Sequence, residues 1–247
     1  MIIAVTGKGG TGKTLVAVLL VYFLSRKYRV LAVDADPDSN LADALGIEGY
    51  KTLGEIRELF QHSRDDFGTM SKESWLKGKI YGEVIFEADD FDVLIMGRPE
   101  GEGCYCFTNN MLRAILRKLM RHYDVVVVDC EAGLEHISRK TIDSADVILV
   151  VTDASRKGFK TASRIRELAK ELGLKAKMYL IANKVREGEE NVITRYAKSE
   201  GFRLLDILPY DEEVAKADLK GLPIPLDCRV AKKVEKLAGV LICEANP

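Results

Sequence analysis

Residues 7–14 read GKGGTGKT, a complete G-x-x-x-x-G-K-T phosphate-binding loop. Its flanks are those that such a loop needs. A short apolar, β-branched run at residues 2–6 precedes it, and a longer apolar stretch at residues 15–24 follows. In a strand–loop–helix unit of this kind, successive backbone N–H groups turn inward around phosphate oxygens at a helix N-terminus. The sequence therefore predicts a nucleoside triphosphate site.

Two lysines and a threonine give the loop its expected chemistry. Lys13 is expected to reach the β- and γ-phosphates, and the Thr14 hydroxyl to bind Mg²⁺. Lys8 lies between glycines at the start of the loop, where a packing role is unexpected. The predicted phosphate-binding residues of the loop are Gly7, Lys8, Gly9, Gly10, Thr11, Gly12, Lys13 and Thr14.

Apolar runs alternate with segments of helical period along the chain. Strand-like runs occur at Ile2–Thr6, Val30–Asp34, Phe91–Met96, Val125–Asp129, Val147–Thr152, Met178–Asn183 and Leu204–Leu208. Helices are predicted at residues 15–24, 108–122 and 159–172. Most of the runs are continuously apolar, which is typical of strands buried on both faces of a parallel sheet. We expect a single domain over residues 1–247 with the α/β fold, a doubly wound, mostly parallel sheet with helices on both faces and ligands at the carboxyl ends of the strands.

Residues 46–90 form the least regular part of this pattern, and we expect a surface turn at Asp89-Asp90.

Composition narrows the partners and the compartment. The chain has 37 Lys and Arg against 38 Asp and Glu, so no global field favours nucleic acid or an anionic membrane. No signal peptide is recognisable, and the apolar stretch at 15–24 is far too short to span a bilayer. Five cysteines, an odd number, argue against a disulfide framework. We expect a cytoplasmic protein that binds neither nucleic acid nor membrane.

Acidic residues follow two of the predicted strands. Residues 34–40 read DADPDSN, a carboxylate cluster that suits Mg²⁺ and water, although a solvated acidic turn has the same composition. Residues 125–128 are four valines that end at Asp129, the form of a Walker B strand whose aspartate holds Mg²⁺ through water. The chain continues Cys130-Glu131-Ala132-Gly133.

The stretch K-G-G-T-G-K-T resembles the signature-lysine (deviant Walker A) ATPases, which include the MinD and ParA proteins and the nitrogenase iron protein. The resemblance implies an ATP/ADP-binding, Mg²⁺-dependent ATPase that forms a nucleotide-sandwiched homodimer. It implies that Lys8 crosses to the partner's phosphates and that Asp36 orients the attacking water. Lys8, Lys13 and Asp36 are thus the predicted catalytic residues.

The same resemblance implies how the nucleotide is read by residues outside the loop. Gly133 falls where relatives sense the γ-phosphate, and Asn40 where they carry a second switch residue. Asn183 and Lys184 follow a strand where relatives read adenine, although an asparagine there is also a common cap. The segment Pro209-Tyr210-Asp211 resembles the P-x-D segment beside the base.

A second distinctive stretch is residues 98–106, RPEGEGCYC, with two thiols one residue apart. Thiolates select soft or borderline metals, but one C-x-C supplies only two ligands. A two-fold dimer would bring Cys104 and Cys106 of both subunits together as four ligands. The alternatives are two half-buried packing residues or a redox pair, although C-x-C lacks the usual C-x-x-C context.

The other three cysteines have weaker signals. Cys130 is interpreted as a packing residue, with nucleotide sensing as the alternative, and Cys228 and Cys243 are predicted to be buried.

Taken together, these motifs resemble the CooC-type ATPases, which assist nickel insertion into carbon monoxide dehydrogenase and acetyl-CoA synthase. The resemblance implies that Cys104 and Cys106 bind nickel or zinc between subunits and that such an enzyme is the client. Nickel is indicated by the resemblance alone, since nothing in the composition points to it.

Two rival functions remain at this point. A MinD- or ParA-like positioning ATPase would use a membrane helix or DNA. The tail carries Val230, Val234, Leu237 and Leu241 at helical spacing, for which core packing is the expected reading. A basic stripe could bind DNA, although a solvated helix face is the ordinary explanation; its residues are Arg156, Lys157, Lys160 and Arg164.

The second rival is an iron–sulfur cluster shared across a dimer, as in the nitrogenase iron protein. That relative draws its ligands from separated loops and not from one C-x-C, which weakens the analogy. Arg113, Arg117 and Arg121 recur every four residues, either as a solvated stripe or as a docking face for an acidic client.

Overall fold

The computed structural model describes residues 1–62, 70–97, 106–132 and 145–245. These residues contain one eight-stranded sheet in the order β3-β4-β2-β5-β1-β6-β7-β8. The strands are β1 (Ile2–Gly7), β2 (Val30–Ala35), β3 (Ile85–Glu87), β4 (Asp92–Ile95), β5 (Val125–Cys130), β6 (Val147–Thr152), β7 (Lys177–Val185) and β8 (Arg203–Pro209).

Every strand pair in the sheet is parallel except β3–β4, which is antiparallel. The predicted doubly wound, mostly parallel sheet is therefore confirmed. All seven strands expected from the apolar runs are present, each within two residues of its predicted bounds. The strand β1 lies in the middle of the sheet between β5 and β6, so the loop that follows it is surrounded by the ends of other strands.

Helices connect the strands and cover both faces of the sheet. They are α1 (Lys13–Ser25), α2 (Asn40–Ala44), α3 (Leu53–His62), α4 (Lys72–Lys79), α5 (Cys106–Met120), α6 (Arg156–Glu171), α7 (Glu190–Ser199), α8 (Glu212–Leu219) and α9 (Arg229–Ala245). A single π-helical turn, Ile80–Val84, joins α4 to β3.

The alternating sides of each strand enter two separate hydrophobic clusters. Ile3 and Val5 of β1 pack with α1 and α9 in one cluster, whereas Ala4 between them packs with α3 to α6 in the other. Because both faces of the central strands are buried, those strands are apolar at nearly every position, and this explains the continuous apolar runs. The helix α1 is buried on nearly all sides for the same reason, since α9 covers the part that the sheet does not.

Residues 46–90 are more regular than the sequence suggested. They contain α3, α4 and the antiparallel edge strand β3, which joins β4 through a turn at residues 88–91. Asp89 and Asp90 are exposed in that turn, as predicted. The strand was missed because three residues, Ile-Phe-Glu, carry too little periodicity to identify it.

The C-terminal helix α9 packs on α1 through its apolar positions. Val230, Val234, Leu237 and Leu241 are all buried there, which confirms the core-packing reading. Among the described residues, no helix is long and apolar enough to cross a membrane. The prediction that Cys243 is buried was wrong, because that residue lies on the outer side of α9.

Candidate nucleotide-binding site

The parallel strands bring their carboxyl ends to one edge of the sheet. The phosphate-binding loop follows β1, Asp34 and Asp36 lie at the end of β2, and Asp129 lies near the end of β5. Asn183 lies near the end of β7. Residues scattered over the whole chain therefore meet around the start of α1, which is where an open α/β sheet binds its ligand.

Two glycines of the loop are required by their close neighbours. At Gly7, a Cβ atom would lie 2.1 Å from the carbonyl oxygen of Val151 on β6. Gly12 has φ 87°, and a Cβ atom there would lie 2.3 Å from the Nδ2 atom of Asn183. Gly12 immediately precedes α1, so its left-handed backbone sets the direction in which the first helical N–H groups point.

Three side chains donate hydrogen bonds to carbonyl groups of the loop. The Thr11 hydroxyl donates to the Lys8 carbonyl oxygen at 2.8 Å. Asn183 Nδ2 donates to the Thr11 carbonyl at 2.9 Å, and Lys184 Nζ donates to the Gly10 carbonyl at 2.8 Å. These three hydrogen bonds restrict the conformations that the backbone of the loop can adopt.

Thr14 and Asp129 form the part of the site that fits a divalent cation. The Thr14 hydroxyl donates to Asp129 Oδ2 at 2.7 Å, whereas the buried Oδ1 atom has no hydrogen-bond partner among the described residues. Burial raises the pKa of Asp129 to about 7, and the charge of Asp34 adds to the shift. A hydroxyl oxygen and an unpaired buried carboxylate oxygen are ligands that Mg²⁺ prefers, so these residues fit the ion.

The fit does not depend on a complete protein cage. Among the described residues, no group of three or more His, Cys, Asp or Glu side chains could hold a metal ion alone. Mg²⁺ normally takes one or two protein ligands with substrate phosphates and water, and the pair at Thr14 and Asp129 matches that pattern. Lys13 is also nearly buried, and its charge lowers the pKa of Asp129, against the effect of burial.

Asp34 is a site residue whose part the sequence reasoning missed. Its Oδ1 atom accepts the N–H of Asp36 at 3.1 Å, and its Oδ2 atom accepts those of Leu41 and Ala42 at 2.9 and 3.1 Å. Asp34 thereby fixes the backbone of Asp36 and the start of α2, where Asn40 is exposed. Burial raises the pKa of Asp34 to about 6. The available signal was that the first carboxylate of D-x-D ends a buried strand.

Lys8 makes an ion pair within its own chain. Its Nζ atom lies 2.8 Å from Asp153 Oδ2, just beyond β6, and both side chains are partly exposed. The other oxygen of Asp153 accepts the N–H of Ser155 at 3.2 Å. Burial alone would raise the pKa of Asp153, but the hydrogen bonds from Lys8 and Ser155 outweigh it and the pKa is lowered. Sequence reasoning did not identify Asp153 as the partner of Lys8.

The segment after β8 has a clear structural role. Asp211 begins α8, where its Oδ1 atom accepts the N–H of Glu213 at 3.0 Å. Its Oδ2 atom accepts the N–H of Arg229 at the start of α9 at 3.1 Å. Tyr210 is exposed, with the Arg186 guanidinium 5.6 Å from its ring centroid. Base contacts remain predictions for Asn183, Lys184, Pro209, Tyr210 and Asp211.

Part of the predicted site lies outside the described residues, namely Cys104 and Gly133. Cys106 is the first residue of α5, whose backbone is described there. Cys130 is fully buried at the end of β5, and burial raises the pKa of its thiol, which agrees with the packing interpretation.

The chain is similar to known nucleotide-binding proteins. Residues 2–224 match the CobQ/CobB/MinD/ParA nucleotide binding domain. An uncharacterized ATP-binding protein of Methanocaldococcus jannaschii is 50% identical over 250 residues, which cover 98% of each chain. The carbon monoxide dehydrogenase accessory protein CooC of Rhodospirillum rubrum is 33% identical over 234 residues, 90% of this chain and 88% of that protein.

Solved structures agree with the fold. The MinC:MinD cell division protein complex of Aquifex aeolicus matches with a TM-score of 0.73 at 18% identity, over 100% of this chain and 97% of that one. A ParA family ATPase from Chlorobium tepidum matches with a TM-score of 0.72 at 20% identity, over 96% and 98%. The chain therefore belongs to the CobQ/CobB/MinD/ParA family of nucleotide-binding domains and is a P-loop ATPase of that family.

Proposed function

We propose that the protein is a cytoplasmic, Mg²⁺-dependent ATPase that carries a metal ion as cargo between two subunits of a homodimer. Cys104 and Cys106 of each subunit bind the ion, which is nickel, with zinc as a substitute in vitro. The client is a metalloenzyme of the carbon monoxide dehydrogenase/acetyl-CoA synthase type. The observation that carries the proposal is the similarity to CooC over nine-tenths of the chain, combined with the C-x-C pair.

The position of Cys106 supports a link between metal and nucleotide. The strand β4 ends at Ile95 beside β2, and the chain re-enters the described structure at Cys106, the first residue of α5. Because α5 returns the chain from the end of β4 to the start of β5, its first residue lies toward the carboxyl edge of the sheet. Cys106 thus begins a connection on the same edge as the phosphate-binding loop, and Cys104 precedes it by two residues in the sequence.

The residues around the loop can promote hydrolysis without forming a covalent bond to the substrate. The loop N–H groups and Lys13 hold the phosphates, and Asp36, held by Asp34, orients the attacking water. Thr14 and Asp129 would hold Mg²⁺, which would supply positive charge against the phosphate oxygens. Phosphoryl transfer depends almost entirely on such positioning and charge neutralisation, so these groups suffice for a slow ATPase.

Lys8 connects hydrolysis to dimerisation in this proposal. In the structure it pairs with Asp153 of its own chain. In the closed dimer it leaves Asp153 and reaches the phosphates bound by the partner subunit. Closure changes the separation of the two cysteine pairs, so metal affinity differs between nucleotide states, as any such coupling requires.

The test is an anaerobic titration of nickel and zinc into the wild type and a C104S/C106S variant, with molecular mass measured with ADP and with ATP. We expect one ion for each dimer, lost in the variant and different in affinity between nucleotide states. ATP binding by the variant is the control for folding. Absence of cysteine-dependent metal would favour a MinD-like positioning ATPase, and a brown protein with iron and sulfide would favour a cluster.

The Lys8→Ala variant tests the dimer separately from the metal. It should bind ATP as the wild type does, because Lys13 and the loop amides remain, but it should lose turnover. Normal turnover by the variant would contradict the crossing role of Lys8.

A further inference from the structure

The outer face of α6 carries four cations that the nucleotide site does not use. These residues, called here the α6 basic stripe, are Arg156, Lys157, Lys160 and Arg164. All four side chains are exposed, and none has an ion-pair partner within the described part of the chain. Arg156, Lys160 and Arg164 are four residues apart, so they share one side of the helix over about 12 Å.

The first two residues of the stripe lie where a helix disfavours positive charge. The first turn of α6 contains Arg156 and Lys157 and no acidic residue. The N-terminus of a helix has a partial positive charge, so cations there are unfavourable, and like charges four residues apart repel each other. The helix α8 has the favourable arrangement, with the acidic residues Glu212 and Glu213 in its first turn. A local violation that no ion pair compensates among the described residues points to a function in binding another molecule.

The stripe begins beside the nucleotide site. Ser155 caps α6, its hydroxyl accepting the N–H of Gly158 at 3.0 Å, and its own N–H donates to Asp153. Asp153 pairs with Lys8, so two consecutive contacts connect the phosphate-binding loop to the first turn of the stripe. A macromolecule seated on the stripe would lie next to the lysine that is proposed to cross between subunits.

We propose that the α6 basic stripe is a docking surface for an acidic surface of the client protein. This inference rests on the proposed function, because the proposed function provides the client protein; the acidic character of that client's surface is inferred from the charge of the stripe. Charge complementarity favours a protein over a nucleic acid. The chain as a whole has a net charge of −1, whereas nucleic-acid-binding domains are commonly strongly basic. Exposed Glu167 and Glu171 on the same helix also end the positive surface after about two turns.

The experiment measures binding of a short, fluorescent, glutamate-rich peptide at low ionic strength. The variant carries Lys160→Glu and Arg164→Glu, which lie on the stripe away from the phosphate-binding loop. The matched control carries Arg195→Glu and Lys198→Glu on α7, two exposed cations without an ion-pair partner in the described residues, so its change in net charge is identical. Both variants should keep the helical content and the ATP affinity of the wild type.

We expect the stripe variant to bind the peptide about tenfold more weakly than the wild type, and the control to remain within about twofold. Equal losses in the two variants would overturn the proposal, because they would show a response to net charge alone. Failure of the wild type to bind the peptide, or tighter binding of a DNA duplex with the same net charge, would also overturn it.

The same samples separate this inference from the proposed function. Nickel titration of the stripe variant should give the wild-type stoichiometry, because the cysteines are untouched. Lost peptide binding with retained nickel is the expected result. A wild type that binds the peptide at the stripe but takes up no metal would refute the proposed cargo and leave the docking surface in place.

Discussion

Two buried aspartates at the carboxyl edge of the sheet differ in how their oxygens are satisfied. Asp211, after β8, accepts backbone N–H groups at the start of two helices, one with each oxygen. Asp129, near the end of β5, accepts only the Thr14 hydroxyl, and its second oxygen has no partner among the described residues. They are 8% and 1% exposed, so the less satisfied carboxylate is also the more deeply buried one.

The difference separates a carboxylate whose two oxygens both have structural partners from one that, among the described residues, has an oxygen free to accept a ligand. Burying a charged group without hydrogen bonds is costly, and the pKa of Asp129 is raised to about 7 for that reason. Asp211 avoids this cost by capping α8 and α9 together. An unpaired buried oxygen beside a phosphate-binding loop therefore indicates the cation position more reliably than the presence of an aspartate at a strand end.

The largest expected effect comes from removing the charge of Asp129. The Asp129→Asn variant should lose at least about 100-fold in turnover, because it can no longer balance the cation that neutralises the phosphates. Phosphate release at saturating ATP measures the effect. Turnover within about threefold of the wild type would contradict the assignment, and Asp211→Asn provides the matched control at the second buried carboxylate.

Removal of the Asp211 carboxylate should affect stability instead. Asp211→Ala removes two capping interactions, each worth about 1 kcal/mol, so we expect a loss of about 2 kcal/mol in the free energy of unfolding. Denaturant titration measures this loss. The preference for ATP over GTP, measured on the same variant, tests the predicted base contact of Asp211. A reduced preference would support that contact, and unchanged stability would contradict the capping role.

The raised pKa of Asp129 predicts a pH dependence in the nucleotide- and Mg²⁺-free protein. Between about pH 4 and pH 7 the native state binds the proton more tightly than the unfolded state does. The contribution of Asp129 to the free energy of unfolding is therefore fully present below about pH 4 and is lost as the pH rises through about 7. Asp34, with a pKa of about 6, acts in the same direction.

Denaturant titrations at pH 5 and pH 8 test this dependence. Between these two pH values the Asp129→Asn variant should lose less free energy of unfolding than the wild type, by on the order of 1–2 kcal/mol. The variant should therefore be the more stable protein at pH 8. Equal losses of unfolding free energy in the two proteins would show that Asp129 is already ionised at pH 5.

The smallest expected effect concerns the hydrogen bonds that Asn183 and Lys184 donate to carbonyl groups of the phosphate-binding loop. Asn183→Ala removes a buried hydrogen bond to Thr11 and should weaken ATP binding about tenfold, whereas Lys184→Ala removes an exposed one and should weaken it about twofold. Calorimetric titration with ATP compares the variants. The reverse order would indicate that Lys184 contacts the nucleotide directly.

Much of this site was accessible from the sequence because its signals are local. The loop at residues 7–14 is contiguous, and Asp36 and Asp129 each follow an apolar run that ends at a recognisable residue. The hydrogen bond from Asn183 to Thr11 could not be predicted from the sequence, since it joins residues that are 172 positions apart. The strand β3 was missed for a different reason, because a three-residue edge strand has no periodicity of its own.

By itself, the sequence determined the fold class and the position of the phosphate-binding loop, because strands buried on both faces must be apolar throughout and a phosphate loop needs glycines at fixed spacing. Only the tertiary structure decided which side chains meet. The register of β2 and β5 places Asp34 beside Asp129, and the order of β1 and β6 brings Lys8 to Asp153, which is 145 residues away. Such pairs depend on strand order and register, which arise from packing across the whole sheet and leave no local pattern in the chain.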